Sequence, residues 1–205
     1  MNEDHRELVI LKFSHYSDNF TDDYYKDMVK EIQSSLGKWL FTSTLPSGQR
    51  LADIRLGDYI TNAGVILVVC SGDYPVNHPA SGIWVYRDWD SADAAPGDLR
   101  VFDWYADTTN YDTMKADQLK KFDDYDGKCQ QDPNLPCDLF LLSWTLTPAT
   151  DVLGHCKDAN KNLGAVMAQL TVPNRFHCVP NLLYVDYVEF ARVTDVALFQ
   201  NGVVV

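Results

Sequence analysis

Short apolar runs alternate along the chain with stretches in which apolar residues recur every three or four positions. The runs are Leu8–Phe13 (with Lys12 inside it), Val65–Cys70, and residues 99–105, 139–144 and 182–188. Each is continuous rather than alternating, which predicts strands buried on both faces of a parallel sheet. Tyr25, Met28, Val29, Ile32 and Leu36 follow at helical spacing. Thr21 precedes them as N-cap, Asp22 and Asp23 supply charge to the first turn, and Gly37 is the expected stop. Further helices are predicted over residues 56–62, over 113–125 with Leu119 and Phe122 inward, and over 193–201 closed by Gly202. Ala159, Leu163, Val166, Met167 and Leu170 mark another. Residues 40–50 read as a loop. Residues 71–98, rich in Gly, Pro, Asp and aromatics, read as a long one of the kind that is usually functional or an insertion.

Strands alternating with helices imply an α/β fold with a parallel sheet. No glycine-rich phosphate loop follows any strand, so a nucleotide-binding arrangement has little support, and a β/α barrel is the alternative. At 205 residues the chain fits one domain or most of one. A net charge of −12 speaks against coating a nucleic-acid backbone and against loose adsorption to anionic lipid. No apolar run approaches the roughly 20 residues of a membrane-spanning helix. The charged N-terminus has no signal-peptide core. Of the five cysteines, Cys70 reads as a buried thiol. Pairing of Cys129 with Cys137 and of Cys156 with Cys178 would suit an oxidising compartment, which conflicts with the missing signal and points to a natural N-terminus further upstream.

Candidate chemistry gathers at the predicted strand ends: Lys12, Ser14 and His15; Ser71 and Asp73; Asp103 and Tyr105; Trp144 and Thr145; Asp186 and Tyr187. In a barrel, active sites are assembled from such ends. Carboxylates that accept hydroxyl protons, beside aromatic faces that stack on a ring, suit a polyhydroxylated ligand. Strand ends are also polar simply because they meet loops. Asp186, inside an apolar run, is either a satisfied structural group or part of a site.

Three motifs carry a family resemblance: Glu7-Leu-Val-Ile-Leu-Lys-Phe-Ser-His15, Leu142-Ser-Trp-Thr-Leu-Thr147 and, most specifically, Asn181-Leu-Leu-Tyr-Val-Asp-Tyr-Val-Glu189. In order and over nearly the whole chain, they resemble the X-domain type of phosphatidylinositol-specific phospholipase C-like phosphodiesterases. The resemblance implies a distorted TIM-type β/α barrel. It also implies cleavage of an inositol phosphodiester by a pair of histidines, with attack by the substrate's own 2-hydroxyl. Asp186 would be the carboxylate that orients one catalytic imidazole. Asp103 and Tyr105 would bind and stack on the inositol ring, and Lys12 falls near a basic strand-end contact. The strand ending in Cys70 and Ser71 lacks the arginine that bacterial members carry there.

By the same comparison the family's histidine pair lies upstream of a segment like Leu8–Phe13. The chain is then expected to be the C-terminal part of one barrel domain, with about five of about eight strands. A parent protein that is secreted or extracellular fits this reading. Among the local histidines, His15 is the best substitute, while His5, His78, His155 and His177 sit in loop-like stretches. His155-Cys156 and His177-Cys178 have poor spacing for zinc. No cofactor is expected; calcium is the one candidate, from a partial likeness of Asp123, Asp124 and Asp126 to a calcium loop. Asn19-Phe20-Thr21 is a glycosylation sequon if the chain is secreted. The alternatives to an enzyme are a non-catalytic inositol or headgroup-binding module, or an inactive truncated product that self-associates through open sheet edges.

Overall fold

A computed structural model describes residues 6–60, 63–88, 97–131, 139–170 and 180–202. The chain divides into two compact units, Met1–Val101 and Phe102–Val205. Among the described residues there are six strands, and every described pairing is parallel and joins consecutive strands. This is the α/β arrangement with parallel strands that the alternation of runs predicts. Among the described residues, no helix is long and apolar enough to cross a membrane.

In the first unit, β1 (Leu8–Phe13) pairs with β2 (Val65–Cys70) from Leu8 opposite Val65 to Phe13 opposite Cys70. β2 has the deepest burial, with Val68, Val69 and Cys70 fully enclosed. β1 is only half-buried, and Val9 remains 37% exposed, so the expectation of a buried first strand is corrected. Helix α1 (Asp22–Leu36) lays Tyr25, Val29 and Ile32 on Ile66, Val68 and Cys70, the residues of β2 that share one face. The hydroxyl of Thr21 accepts the backbone N–H of Tyr24 at 3.3 Å, the expected cap. Helix α1 ends at Leu36 with Gly37 as its C-cap, the expected stop, although Gly37 keeps right-handed angles and leads into a tight turn through Trp39.

Residues 71–98 are not one long loop. They contain the short helix α3 (Tyr74–Asn77), which follows α2 (Leu56–Tyr59), and the strand β3 (Ile83–Asp88). Gly82 turns the chain into β3 with φ +79°, and a Cβ there would meet Leu40 at 3.1 Å. Glycine and proline therefore bound elements within this stretch rather than marking an absence of structure. β3 pairs with β4 (Leu99–Phe102) through Tyr86, Arg87 and Asp88 opposite Leu99, Arg100 and Val101. Among the described residues, six strands therefore replace the expected five.

In the second unit, α4 (Tyr111–Gln131) begins two residues before the expected start. The side chain of Asn110 caps it by accepting the Thr113 N–H at 2.9 Å. Residues 123–127, which partly resemble a calcium loop, lie within this continuous helix, and Lys120 pairs with Asp124 at 2.7 Å. β5 (Leu139–Ser143) buries Phe140 among Phe102, Phe122 and Tyr125, with ring centroids 5.2–5.7 Å away. Helix α5 (Val152–Leu170) turns Cys156, Ala159, Asn160, Leu163, Val166 and Met167 inward. β6 spans only Leu182–Tyr184, and Tyr184 is 53% exposed. The expected buried strand over 182–188 is corrected: Tyr187 takes a left-handed conformation (φ 51°), and Val188–Phe190 form a 3-10 turn. Tyr187 cannot extend a strand at that φ, so the apolar and aromatic character of the run does not become strand. Helix α6 (Val193–Gln200) follows and ends before Gly202 at φ +73°.

Candidate functional site

Within the second unit, the segments that follow β4, β5 and β6 are tied together by hydrogen bonds through one buried side chain and one backbone contact. Gln118, on α4 and without solvent exposure, accepts the backbone N–H of Ser143 at 2.9 Å. Its amide nitrogen donates to the Trp104 carbonyl at 2.9 Å. Trp144 N–H, one residue beyond β5, donates to the carbonyl of Tyr184, the last residue of β6, at 2.9 Å. The segments that leave β4, β5 and β6 are thereby fixed at their C-terminal ends. Asp103 and Tyr105 belong to the first of these segments and Asp186 to the last.

Asp103, immediately after β4, is half-buried; Tyr105 is 56% exposed, and its carbonyl accepts Lys121 Nζ at 3.4 Å. The same ammonium pairs with Asp117 at 2.6 Å and sits 5.5 Å from the centre of the Trp104 ring. Asp186 lies two residues beyond β6 rather than inside a strand. Its Oδ2 accepts the Cys156 thiol at 3.7 Å, and its backbone carbonyl accepts Asn160 Nδ2 at 2.7 Å. The same Asn160 nitrogen reaches the Tyr187 carbonyl at 3.3 Å. Asp186 is therefore held from both its carboxylate and its backbone. Burial, aided by the negative charge of Asp186, pushes the Cys156 thiol up to about 11. At neutral pH this sulfur is a proton donor and not a nucleophile.

Lys12 belongs to the first unit. Its ammonium lies 3.9 Å from the Asp88 carboxylate and 4.2 Å from the centre of the Tyr86 ring. His15, just past β1, is exposed at φ 57° with Nδ1 3.0 Å from Ser14 Oγ, and His78 pairs with Asp22 at 2.9 Å. His155 lies on α5. Cys70 and Cys156 are free thiols, both buried. Cys137, Cys178, His5 and His177 lie outside the described residues, as does the side chain of Cys129. Among the described residues, no group of three or more His, Cys, Asp or Glu is placed to hold a metal ion.

Comparison with protein-family models, curated proteins and solved structures finds no match. The reading of the site therefore rests on its own chemistry.

Three contributors are invisible to the pattern of strand ends: Gln118, Cys156 and Asn160. Cys156 reads from sequence as half of a disulfide. Asn160 sits one helical turn after it, on the same inward stripe as Leu163 and Met167. A lone carboxamide on an apolar helical stripe is the available signal, because a buried amide needs partners.

Among the described residues of this unit, two clefts stand out. One of about 390 Å³ is bordered by Asn160, Gly164, Met167, Phe190, Val196 and Phe199. A larger one, about 690 Å³, lies at the start of β6, near Pro180 and Asn181, the end away from Asp186.

Proposed function

We propose that this chain supplies the carboxylate and ring-binding side of a phospholipase C-like phosphodiesterase site, in a β/α barrel acting on an inositol phospholipid or related phosphodiester. The supporting observation is the tie from Trp104 through Gln118 to Ser143, continued from Trp144 to Tyr184. It fixes together the strand ends that carry Asp103, Tyr105 and Asp186. Asp103 accepts ring hydroxyls, and the exposed face of Tyr105 stacks on the ring. Asp186 presents a carboxylate to an imidazole of the family's histidine pair. An acceptor on an imidazole N–H fixes its tautomer and stabilises its protonated form, the service a general base needs.

The test is turnover of phosphatidylinositol by the protein expressed from its native transcript, followed by phosphorus NMR. A cyclic inositol phosphate is expected, with Asp186→Asn lowering the rate at least tenfold. Absence of any phosphodiester turnover rejects the enzyme.

One observation favours a second reading, binding without turnover: among the described residues, the partner of the Asp186 carboxylate is a thiol, not an imidazole. That reading requires calorimetric binding of myo-inositol or its phosphate together with no turnover.

A further inference from the structure

We propose that Cys156 and Asn160 are the positioning residues of Asp186, the thiol fixing Oδ2 and the carboxamide fixing the backbone. Oδ1 is then the oxygen presented to a ligand hydroxyl or an imidazole N–H. The inference deepens the function proposed above and rests on it for what meets Oδ1.

Asp186 sits where the strand ladder has ended, since the last backbone bond to β6 runs from Trp144 to Tyr184. A carboxylate on such a segment samples several rotamers unless something outside the strand holds it. Helix α5 supplies that hold twice from one face, because Cys156 and Asn160 are four residues apart. Both are 2% exposed. Asn160 spans the carbonyls of Asp186 and Tyr187 at 2.7 and 3.3 Å. Tyr187 sits at φ 51°, a left-handed conformation that a non-glycine residue keeps only where its surroundings enforce it. The Asn160 amide is the group that enforces it.

Cys156 then removes the remaining freedom of the side chain by occupying Oδ2, and Oδ1 has no partner among the described residues. A residue there only to pack would need neither a donor nor this registration. An acceptor that must meet a group in one orientation needs both.

The decisive measurement is the infrared S–H stretching band of Cys156 in the full chain, assigned by its loss in Cys156→Ser. It is expected at the low frequency of a hydrogen-bonded thiol and to rise in Asp186→Ala. A band that Asp186→Ala leaves in place overturns the contact and the proposal with it. The second arm is turnover: Cys156→Ala lowers kcat about fivefold at unchanged KM, a modest effect because sulfur is a weak donor. Cys156→Ser, whose hydroxyl restores a donor, returns kcat to within about twofold of the parent. No loss in the alanine variant, or equal loss in both, overturns the positioning role. If the parent protein turns over nothing, the function fails, and the thiol band alone decides the clamp.

Discussion

Gln118 accepts the backbone N–H of Ser143 at 2.9 Å from a position with no solvent exposure, while its amide reaches back to the Trp104 carbonyl. One side chain thus satisfies a donor and an acceptor on two separate strand ends. The Ser143 N–H would otherwise be buried and unpaired. Gln118→Leu keeps the volume and strips both partners, so urea unfolding is expected to show a loss of about 3 kcal/mol. A change below about 0.5 kcal/mol would mean that the strand ends are held by other means.

Phe140 is the aromatic centre of the second unit, fully enclosed by Phe102, Phe122 and Tyr125. Phe140→Ala leaves a cavity those rings fill only in part, and a loss of about 4 kcal/mol is expected in denaturant. The ring at Tyr125 shares the cluster, so the double variant with Tyr125→Ala should fall short of additivity.

Tyr59 donates to the Leu51 carbonyl at 2.8 Å, and burial, with Asp53 adding to it, pushes its phenol up to about 12. The neutral form is the folded form, so the folded chain holds its proton more tightly than the unfolded chain. The contribution is full below pH 10, the ordinary tyrosine value, and is lost as pH rises through about 12. Thermal melts are expected to fall across that window, and Tyr59→Phe should flatten the fall while lowering stability at neutral pH. Tyr16 and Tyr25, also shifted upward by burial, act in the same direction.

Thr21→Ala removes the hydroxyl that accepts the Tyr24 N–H, and a loss of about 1 kcal/mol is expected. Thr21→Asp should recover it, since a carboxylate caps equally well and faces the positive end of α1. Equal stability of all three chains by thermal denaturation would show that the cap is idle.

Asp103→Ala tests the ring-binding role. Asp103 is half-buried just after β4, and in Asp103→Ala myo-inositol affinity in calorimetry is expected to drop about tenfold, with a thermal melt run beside it to show that the chain stays folded. Unchanged affinity would remove Asp103 from the site.

The hydrophobic pattern alone carried the strands β1, β2, β4 and β5 and the inward faces of α1 and α5, because burial in a parallel α/β layer imposes its period directly on the sequence. It also marked Asp103, Tyr105 and Asp186 at the C-terminal ends of strands, although the strands stop at Phe102 and Tyr184, before them. Three features were decided in space. β3 escaped notice because glycine and proline punctuate its approach, and only pairing with β2 and β4 makes Ile83–Asp88 a strand. β6 stopped short because Tyr187 turns left-handed under a carboxamide 27 residues away in sequence. Cys156, expected as half of a disulfide, is a free thiol facing a carboxylate, and Gln118, unmarked in the helical pattern, is a buried tie. Polar groups buried between distant segments obey no local period. Their partners are chosen by packing, so only the folded chain identifies them.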